Sequence, residues 1–264
     1  MNTKTLLTGV ATMVAVALCI ALTGCEKEND NVLKTNTLNV KKTEGKNTAE
    51  IKVDFPLAAN PLLQTAITEY ISETLGGTYE GEMDDAEALA NHYAQDYLRQ
   101  MAEVRSEVEG DEMEYSREAR ITKIYETERL VTYSTATYAF YGGAHGSSTG
   151  TGMTFRKSDG RRVGMNLLND KVGDEEWMDM VRGALKNYFE VKTDDELHDC
   201  LQLDPDYFPY IPMPESEPWF SEEGMVFSYQ QYEIACYAAG MPAFVVPYEK
   251  LHKYLNVTGR RLVE

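Results

Sequence analysis

The chain is poor in the residues from which most catalytic centres are assembled. It holds 4 histidines, 4 cysteines and 2 tryptophans in 264 residues. His92, His145, His198 and His252 are scattered, without the paired spacing by which zinc hydrolases hold their metal, so neither a metal site nor a cofactor is expected. Basic residues are scarce too: 25 Lys and Arg against 43 Asp and Glu leave a net charge of −18. That field repels nucleic-acid phosphates and anionic lipid heads, which excludes a nucleic-acid partner and favours a cationic one. The same acidity also serves plain solubility. No internal repeat is visible, and beyond the amino terminus no apolar run is long enough to span a bilayer.

The first residues have the layout of an export signal. Lys4 supplies a short basic start, and Val10 to Ala21 is uncharged and apolar but too short for a spanning helix. Leu22-Thr23-Gly24-Cys25 resembles the lipobox of bacterial lipoproteins, in which small residues admit the processing enzymes and the thiol accepts diacylglycerol. Residues 1–24 are therefore expected to be a lipoprotein signal peptide, with lipidation at Cys25 and membrane contact through acyl chains. The plainer alternative is ordinary secretory cleavage that leaves Cys25 a spare thiol. The expected location is the cell envelope, at the outer membrane, facing the periplasm or the surface. Residues 25–47 are polar without a sustained period and read as a flexible tether. Within it, Lys27-Glu28-Asn29-Asp30 looks like the acidic export tag of surface lipoproteins in the Bacteroidetes, although a solvated linker explains it equally. Cys19 departs with the signal, so Cys200 and Cys236 remain as a candidate disulfide, against the alternative of two free thiols.

From residue 48 the pattern becomes that of a folded domain. Ile51, Val53 and Phe55 alternate as in a half-buried strand that Pro56 ends. Asn60 can cap a helix with Pro61 in its first turn, Leu63, Ile67, Tyr70, Ile71 and Leu75 on one face, and Gly76-Gly77 at its end. A second helix is predicted from Asp84 to Val108, with Leu89, Tyr93, Tyr97 and Met101 on one stripe and Gly110 beyond it. Alternation then takes over: Met113 to Tyr125, Val131 to Tyr141 and Thr149 to Phe155 read as an antiparallel meander, with a tight turn at Ser158-Asp159-Gly160. Asp174 precedes a helix carrying Trp177, Val181 and Leu185, and Leu197 and Leu201 suggest a short further one. Asp204 to Pro218, with Pro205, Pro209, Pro212, Pro214 and Pro218, is an extended loop bearing Tyr207, Phe208 and Tyr210. Met225 to Tyr229 and Ala243 to Val246 are final strands, and Pro247 begins a short helix through Tyr254. The fold class is α+β, an antiparallel sheet covered by helices in a single mixed α/β domain over 48–264. Its strand-helix-helix part is 48–110 and its sheet-rich part 111–264.

Tyr141-Gly142-Gly143-Ala144-His145-Gly146 is the densest motif. Its glycines permit a sharp turn or a close ligand approach, but it has neither the GK[ST] ending of a P-loop nor the spacing of a dinucleotide fingerprint. His145 beside Ser147 or Ser148 could act as a general base. No nucleophile elbow or oriented carboxylate accompanies it, so a ring that fixes its own loop is the stronger reading. His198 and Cys200 are one pair and make no metal site. Among many acids Glu233 stands out, set in Gln230-Gln231-Tyr232-Glu233-Ile234-Ala235, as a functional group or as a partner of backbone amides.

Two segments together, Tyr141 to Gly146 and Phe227-Ser-Tyr-Gln-Gln-Tyr-Glu-Ile-Ala235, resemble the extracellular domain of lysozyme-sensing anti-sigma-V factors and the related module of some peptidoglycan deacetylases. Tyr237-Ala-Ala-Gly240, Val246-Pro247-Tyr248 and Ile51 to Leu75 extend the likeness over most of residues 48–256. It implies a mixed α/β binding domain without a catalytic residue set, so no enzyme is expected. In the anti-sigma proteins the domain binds lysozyme. This chain departs from them in beginning with a lipoprotein signal, which points away from sigma-factor control. The resemblance and the charge together imply an envelope lipoprotein that binds a cationic, lysozyme-like protein or envelope glycan such as peptidoglycan, with Tyr141, Gly142, Gly143, His145, Gly146, Tyr232 and Glu233 as candidate binding or structural residues. A hydrolase using His145 on envelope material and a structural component without a small ligand are the alternatives.

Overall fold

The computed structural model describes residues 31–57, 60–108, 112–204 and 208–264. The expected signal peptide, Cys25 and the export-tag residues lie outside them, as do Gly110, Pro205 and Tyr207. Residues 32–264 form one compact unit.

Six strands lie side by side in chain order: β1 (Thr35–Glu44), β2 (Asn47–Pro56), β3 (Tyr115–Glu126), β4 (Leu130–Phe140), β5 (Ser147–Arg156) and β6 (Arg162–Val163). Neighbours are antiparallel except β2 and β3, which run parallel with Ile51 opposite Ala119. A parallel pair needs a long crossover, and α1 (Pro61–Leu75) with α2 (Ala86–Ser106) supplies it. The Asn60 side chain accepts the Leu62 amide, Pro61 opens α1, and Gly76 closes it at φ 140. Asp85 caps α2 through the Ala88 amide. Ile67 and Ile71 of α1 and Tyr93, Tyr97 and Leu98 of α2 meet Ile51, Val53, Phe55, Ile121, Tyr133 and Phe155 of the sheet in the first core.

The tether expected at 25–47 is corrected by this sheet. Residues 35–44 form β1, in continuous antiparallel register with β2 from Thr35 opposite Pro56 to Glu44 opposite Asn47. As the edge strand it is mostly exposed, so only Leu38 and Val40 break its polar sequence and the period of two is too short to show. Its entry is fastened at the end of β3. Glu126 Oε1 accepts from Leu33 N at 2.7 Å and from Lys157 Nζ at 2.6 Å, and Lys123 Nζ donates to Glu126 Oε2 at 2.9 Å and to the Leu33 carbonyl at 2.6 Å. Burial pushes the Glu126 carboxyl up, but the bonds from Lys157, Leu33 and Lys123 outweigh it and hold the group below the ordinary carboxylate value.

The second half of the chain builds its own core. A three-stranded sheet, β7 (Trp219–Phe220), β8 (Gly224–Ser228) and β9 (Ala243–Pro247), packs with α3 (Glu175–Tyr188), α4 (Asp194–Cys200), α5 (Tyr248–Leu251) and α6 (Val257–Val263). Trp177 of α3 is fully buried and meets Phe227 edge-on, and Phe227 stacks on Phe244 at 4.9 Å. The α+β class therefore holds, with the sheet divided in two. The halves join along β5: Phe220 N donates to Thr154 Oγ1 at 2.9 Å, and Thr154 and Thr132 share a buried hydroxyl contact at 2.8 Å. No helix among the described residues is long and apolar enough to cross a membrane.

Candidate functional site

The two sequence motifs meet at the amino-terminal end of β5. Gly142 and Gly143 turn the chain out of β4 at φ 85 and 92, a conformation that side chains with a Cβ rarely adopt. Gly146 lies against the Tyr138 ring, where a Cβ would come within 2.4 Å of ring carbon. His145 leaves this turn exposed, with its ring stacked on Tyr237 at 3.9 Å and Nδ1 3.0 Å from the Gly146 carbonyl. The Tyr237 hydroxyl donates to the same carbonyl at 2.8 Å. Tyr232, at φ 68 and 60% exposed, extends the aromatic shelf 5.8 Å beyond Tyr237.

Gln230 and Gln231 do the joining. This half of β5 has β4 on one side only, and the glutamine side chains stand in for a strand on the other. Gln230 accepts from Gly150 N at 3.2 Å and donates to Gly150 O at 2.9 Å, while Gln231 accepts from Ser148 N at 3.0 Å. Backbone groups that would otherwise be left open at an edge are thereby paired. Glu233 fixes the turn that presents the glutamines: its carboxylate accepts from Gln230 N at 2.6 Å and from Glu215 N at 2.7 Å. That second bond also ties down the proline-rich loop, as does the Tyr229 hydroxyl on the Pro212 carbonyl at 2.8 Å.

The candidate Cys200–Cys236 bridge is not made, and both thiols are free. Gln202 N reaches the Ile234 carbonyl at 2.7 Å, so the two segments do touch. The contact does not continue as a ladder, because Cys200 ends α4 in a turn closed by Leu201 N on the His198 carbonyl, and Cys236 opens a separate exposed turn. Among the described residues no group of three or more His, Cys, Asp and Glu is placed to hold a metal ion.

Beside the motif junction, on the helix-facing side of the sheet, lies an open groove of about 500 Å³. Its floor is laid in rows by the register of β4 and β5: Thr135 opposite Thr151, Thr137 opposite Thr149, and Ala139 opposite Ser147. Successive residues of one strand face opposite ways, so Ser147, Thr149 and Thr151 share the groove side while Gly146, Gly150 and Gly152 take the other, where Tyr138, Met241 and Trp219 press close. Thr137 and Thr149 share a hydroxyl contact at 2.7 Å, and Thr135 meets the Tyr70 hydroxyl at 2.8 Å. Tyr97, Tyr138, Tyr141 and Thr74 complete the lining with Arg117, whose guanidinium lies over the Tyr97 ring at 3.8 Å and donates to the Gln100 side-chain oxygen. Burial pushes the Tyr97 hydroxyl up to about 12, with Arg117 pulling the other way, so the phenol stays neutral. The motif reaches this groove through Tyr141, and His145 and Glu233 are not among its lining residues. The threonine rows and Arg117 were not singled out from sequence. The available signal was an arginine in phase with Tyr115, Ala119 and Ile121 on the buried face of β3.

Two family models match the chain. Residues 42–148 match the model described as Deacetylase PdaC, and residues 174–249 match the model described as a protein of unknown function, DUF3298. The first span contains Tyr141 to Gly146 and the second contains Phe227 to Ala235, which supports the resemblance to a deacetylase-associated module at the level of the domain. The likeness to anti-sigma-V factors rests on the motifs alone. Among solved structures, a DUF3298 family member from Bacteroides fragilis NCTC 9343 aligns over 90% of this chain and 98% of its own, at 18% identity and a TM-score of 0.72. A DUF3298 family protein from Pseudomonas aeruginosa PAO1 aligns over 86% of this chain and 96% of its own, at 16% identity and a TM-score of 0.59. At these identities the likeness is one of fold. No curated protein matches the chain.

Proposed function

We propose that this chain is a cell-envelope binding module, held at the membrane by a lipid on Cys25, whose groove over β3 to β5 takes envelope glycan. The groove lining carries the reading: threonine and serine hydroxyls stand beside the partly exposed Tyr141, with the Tyr97 ring buried beneath Arg117. Hydroxyls can both donate to and accept from sugar hydroxyls, aromatic faces cover the apolar faces of sugar rings, and an open trough suits a chain laid along it. Similarity to the two family models is consistent with an envelope-associated module. The test is titration with a peptide-free tetrasaccharide of alternating N-acetylglucosamine and N-acetylmuramic acid and with chitotetraose, followed by calorimetry and amide shifts. Saturable binding should shift Thr137, Tyr141 and Thr149, and Tyr141→Ala or Thr149→Val should each weaken it about fivefold. Neither heat nor shifts with either sugar would sink the reading.

The net charge of −18 favours a second reading, capture of a cationic protein such as lysozyme. Asp194, Asp195 and Glu196 crowd the first turn of α4 and add to the local field. Charge of this kind mainly speeds encounter, so the association rate with lysozyme should fall by at least tenfold between low and physiological salt. Absence of any complex at low salt would remove this partner. A catalytic role for His145 finds less support, because its ring is engaged by Tyr237 and Gly146 and both oxygens of Glu233 are taken by backbone amides. The open groove likewise weighs against a structural component without a ligand.

A further inference from the structure

The groove carries a charge opposite to that of the molecule around it. With 43 acidic residues in the chain, any trough of its size would be expected to expose a carboxylate. Yet its lining consists of five threonines, a serine, an alanine, three tyrosines and Arg117, and includes no Asp or Glu. Arg117 is its one formal charge. The side chain is held in place from two sides, by the Tyr97 ring beneath it at 3.8 Å and by Gln100, which is itself fixed by donating to Asp96 at 2.6 Å. A guanidinium has five N–H donors, and stacking on a ring with a single side-chain acceptor leaves part of the fork facing the groove. A fixed, partly unsatisfied fork at the end of a hydroxyl-lined floor is the arrangement that recognises a carboxylate, by paired charge-assisted hydrogen bonds.

We propose that the groove selects glycans bearing a sugar-linked carboxylate, with Arg117 taking the carboxylate and Thr137, Thr149 and Thr151 taking the neighbouring sugar hydroxyls. This deepens the glycan reading and rests on it. The acidic surface then acts as a filter, since an anionic chain is repelled by the surface at large but meets a positive charge and no carboxylate in the lining of this trough. Tyr141, at the start of the motif turn and edge-on to Tyr115 at 5.9 Å, closes the lining beside Arg117 and offers a ring to the sugar that bears the acid.

The test compares four probes on the full folded chain: the tetrasaccharide of alternating N-acetylglucosamine and N-acetylmuramic acid, the same sugar with its carboxyl reduced to the alcohol, tetragalacturonate, and chitotetraose. Each acidic probe that binds is expected to bind on the order of tenfold more tightly than its neutral counterpart, and which of the two binds distinguishes an ether-linked acid from a uronate. Arg117→Gln should abolish that preference, and Arg117→Lys should restore only part of it. Because Arg117 also covers Tyr97, a readout on unaltered protein accompanies the variants: the acidic-to-neutral ratio should shrink as salt rises, whereas neutral binding should not change. Equal binding of acidic and neutral sugars, with no salt dependence, overturns the carboxylate proposal and leaves the glycan reading standing. Failure of all four probes to bind overturns both.

Discussion

Replacing Gly152 with valine is expected to destabilise the fold by about 3 kcal/mol, at the upper end of the usual cost of overpacking, read as a lowered urea midpoint at unchanged slope. An ideal Cβ at this position would sit 2.4 Å from two atoms of the Trp219 indole, well inside contact distance. Trp219 is partly exposed, but its backbone is anchored. Its neighbour Phe220 is fully buried, and the Phe220 amide is bonded to Thr154 two residues along the same strand. The substitution therefore strikes the seam where the small sheet meets the large one, and Gly152→Ala should show the same effect in weaker form. A midpoint within experimental error of the parent would mean that Trp219 moves aside freely and that the seam is not tightly packed. The groove lies on the other face of β5, so a folded Gly152→Ala chain should keep its sugar affinity, which separates the packing role of the glycines from the binding role of the threonines between them.

Glu126→Ala should cost about 4 kcal/mol, because it removes a carboxylate shared by two largely desolvated lysines. Lys157 is 9% exposed and Lys123 is 21% exposed at the side chain. The same carboxylate makes stability depend on pH in a defined direction. Its pKa in the folded chain lies below the unfolded value. The contribution is thus complete above the ordinary glutamate value near about 4.3, and is lost as pH falls through the depressed folded value. Urea midpoints of the parent and of Glu126→Gln should differ clearly at neutral pH and converge as pH falls below the ordinary glutamate range. A gap that stays constant over that range would show that Glu126 contributes by shape and not by charge.

How far the architecture was legible depended on whether the physical signal was local. Asn60 with Pro61 and Asp174 mark helix starts by short-range chemistry, and their side chains do accept the first-turn amides of their helices, while the helix read from Asp84 is capped one residue later, by Asp85. The strand Thr35–Glu44 was hidden because an edge strand buries little and its pairing is made by backbone alone. The parallel β2–β3 pair and the separation of β7 to β9 into a second sheet are decisions of topology, which alternation within a strand does not encode. Trp219–Phe220 and Val257–Val263 are too short or too late to carry a period of their own. At the site, the motif residues were conspicuous because glycine, histidine and glutamine are unusual together. The groove was not, since Thr135, Thr137, Thr149 and Thr151 each look like an ordinary solvent-facing strand residue until the register sets them side by side.

The one parallel pairing in the large sheet also sets an order of assembly. The β1–β2 hairpin closes across Gly45 and Lys46, and β3, β4 and β5 fold back on one another in sequence, so both ribbons can form from nearby contacts. Joining them is different: Ile51 meets Ala119 only after the whole of α1 and α2 has been ordered between them, and that closure carries the largest loss of chain freedom in the sheet. The slow step in forming this half of the molecule is therefore expected to be the joining of the two ribbons through the helical crossover. Thr74 comes from α1, Tyr97 from α2, Arg117 from β3 and the threonine rows from β4 and β5, so the groove exists only once that docking is complete. A sugar held there would act as a latch on the last event of folding, slowing its reversal without hastening either ribbon.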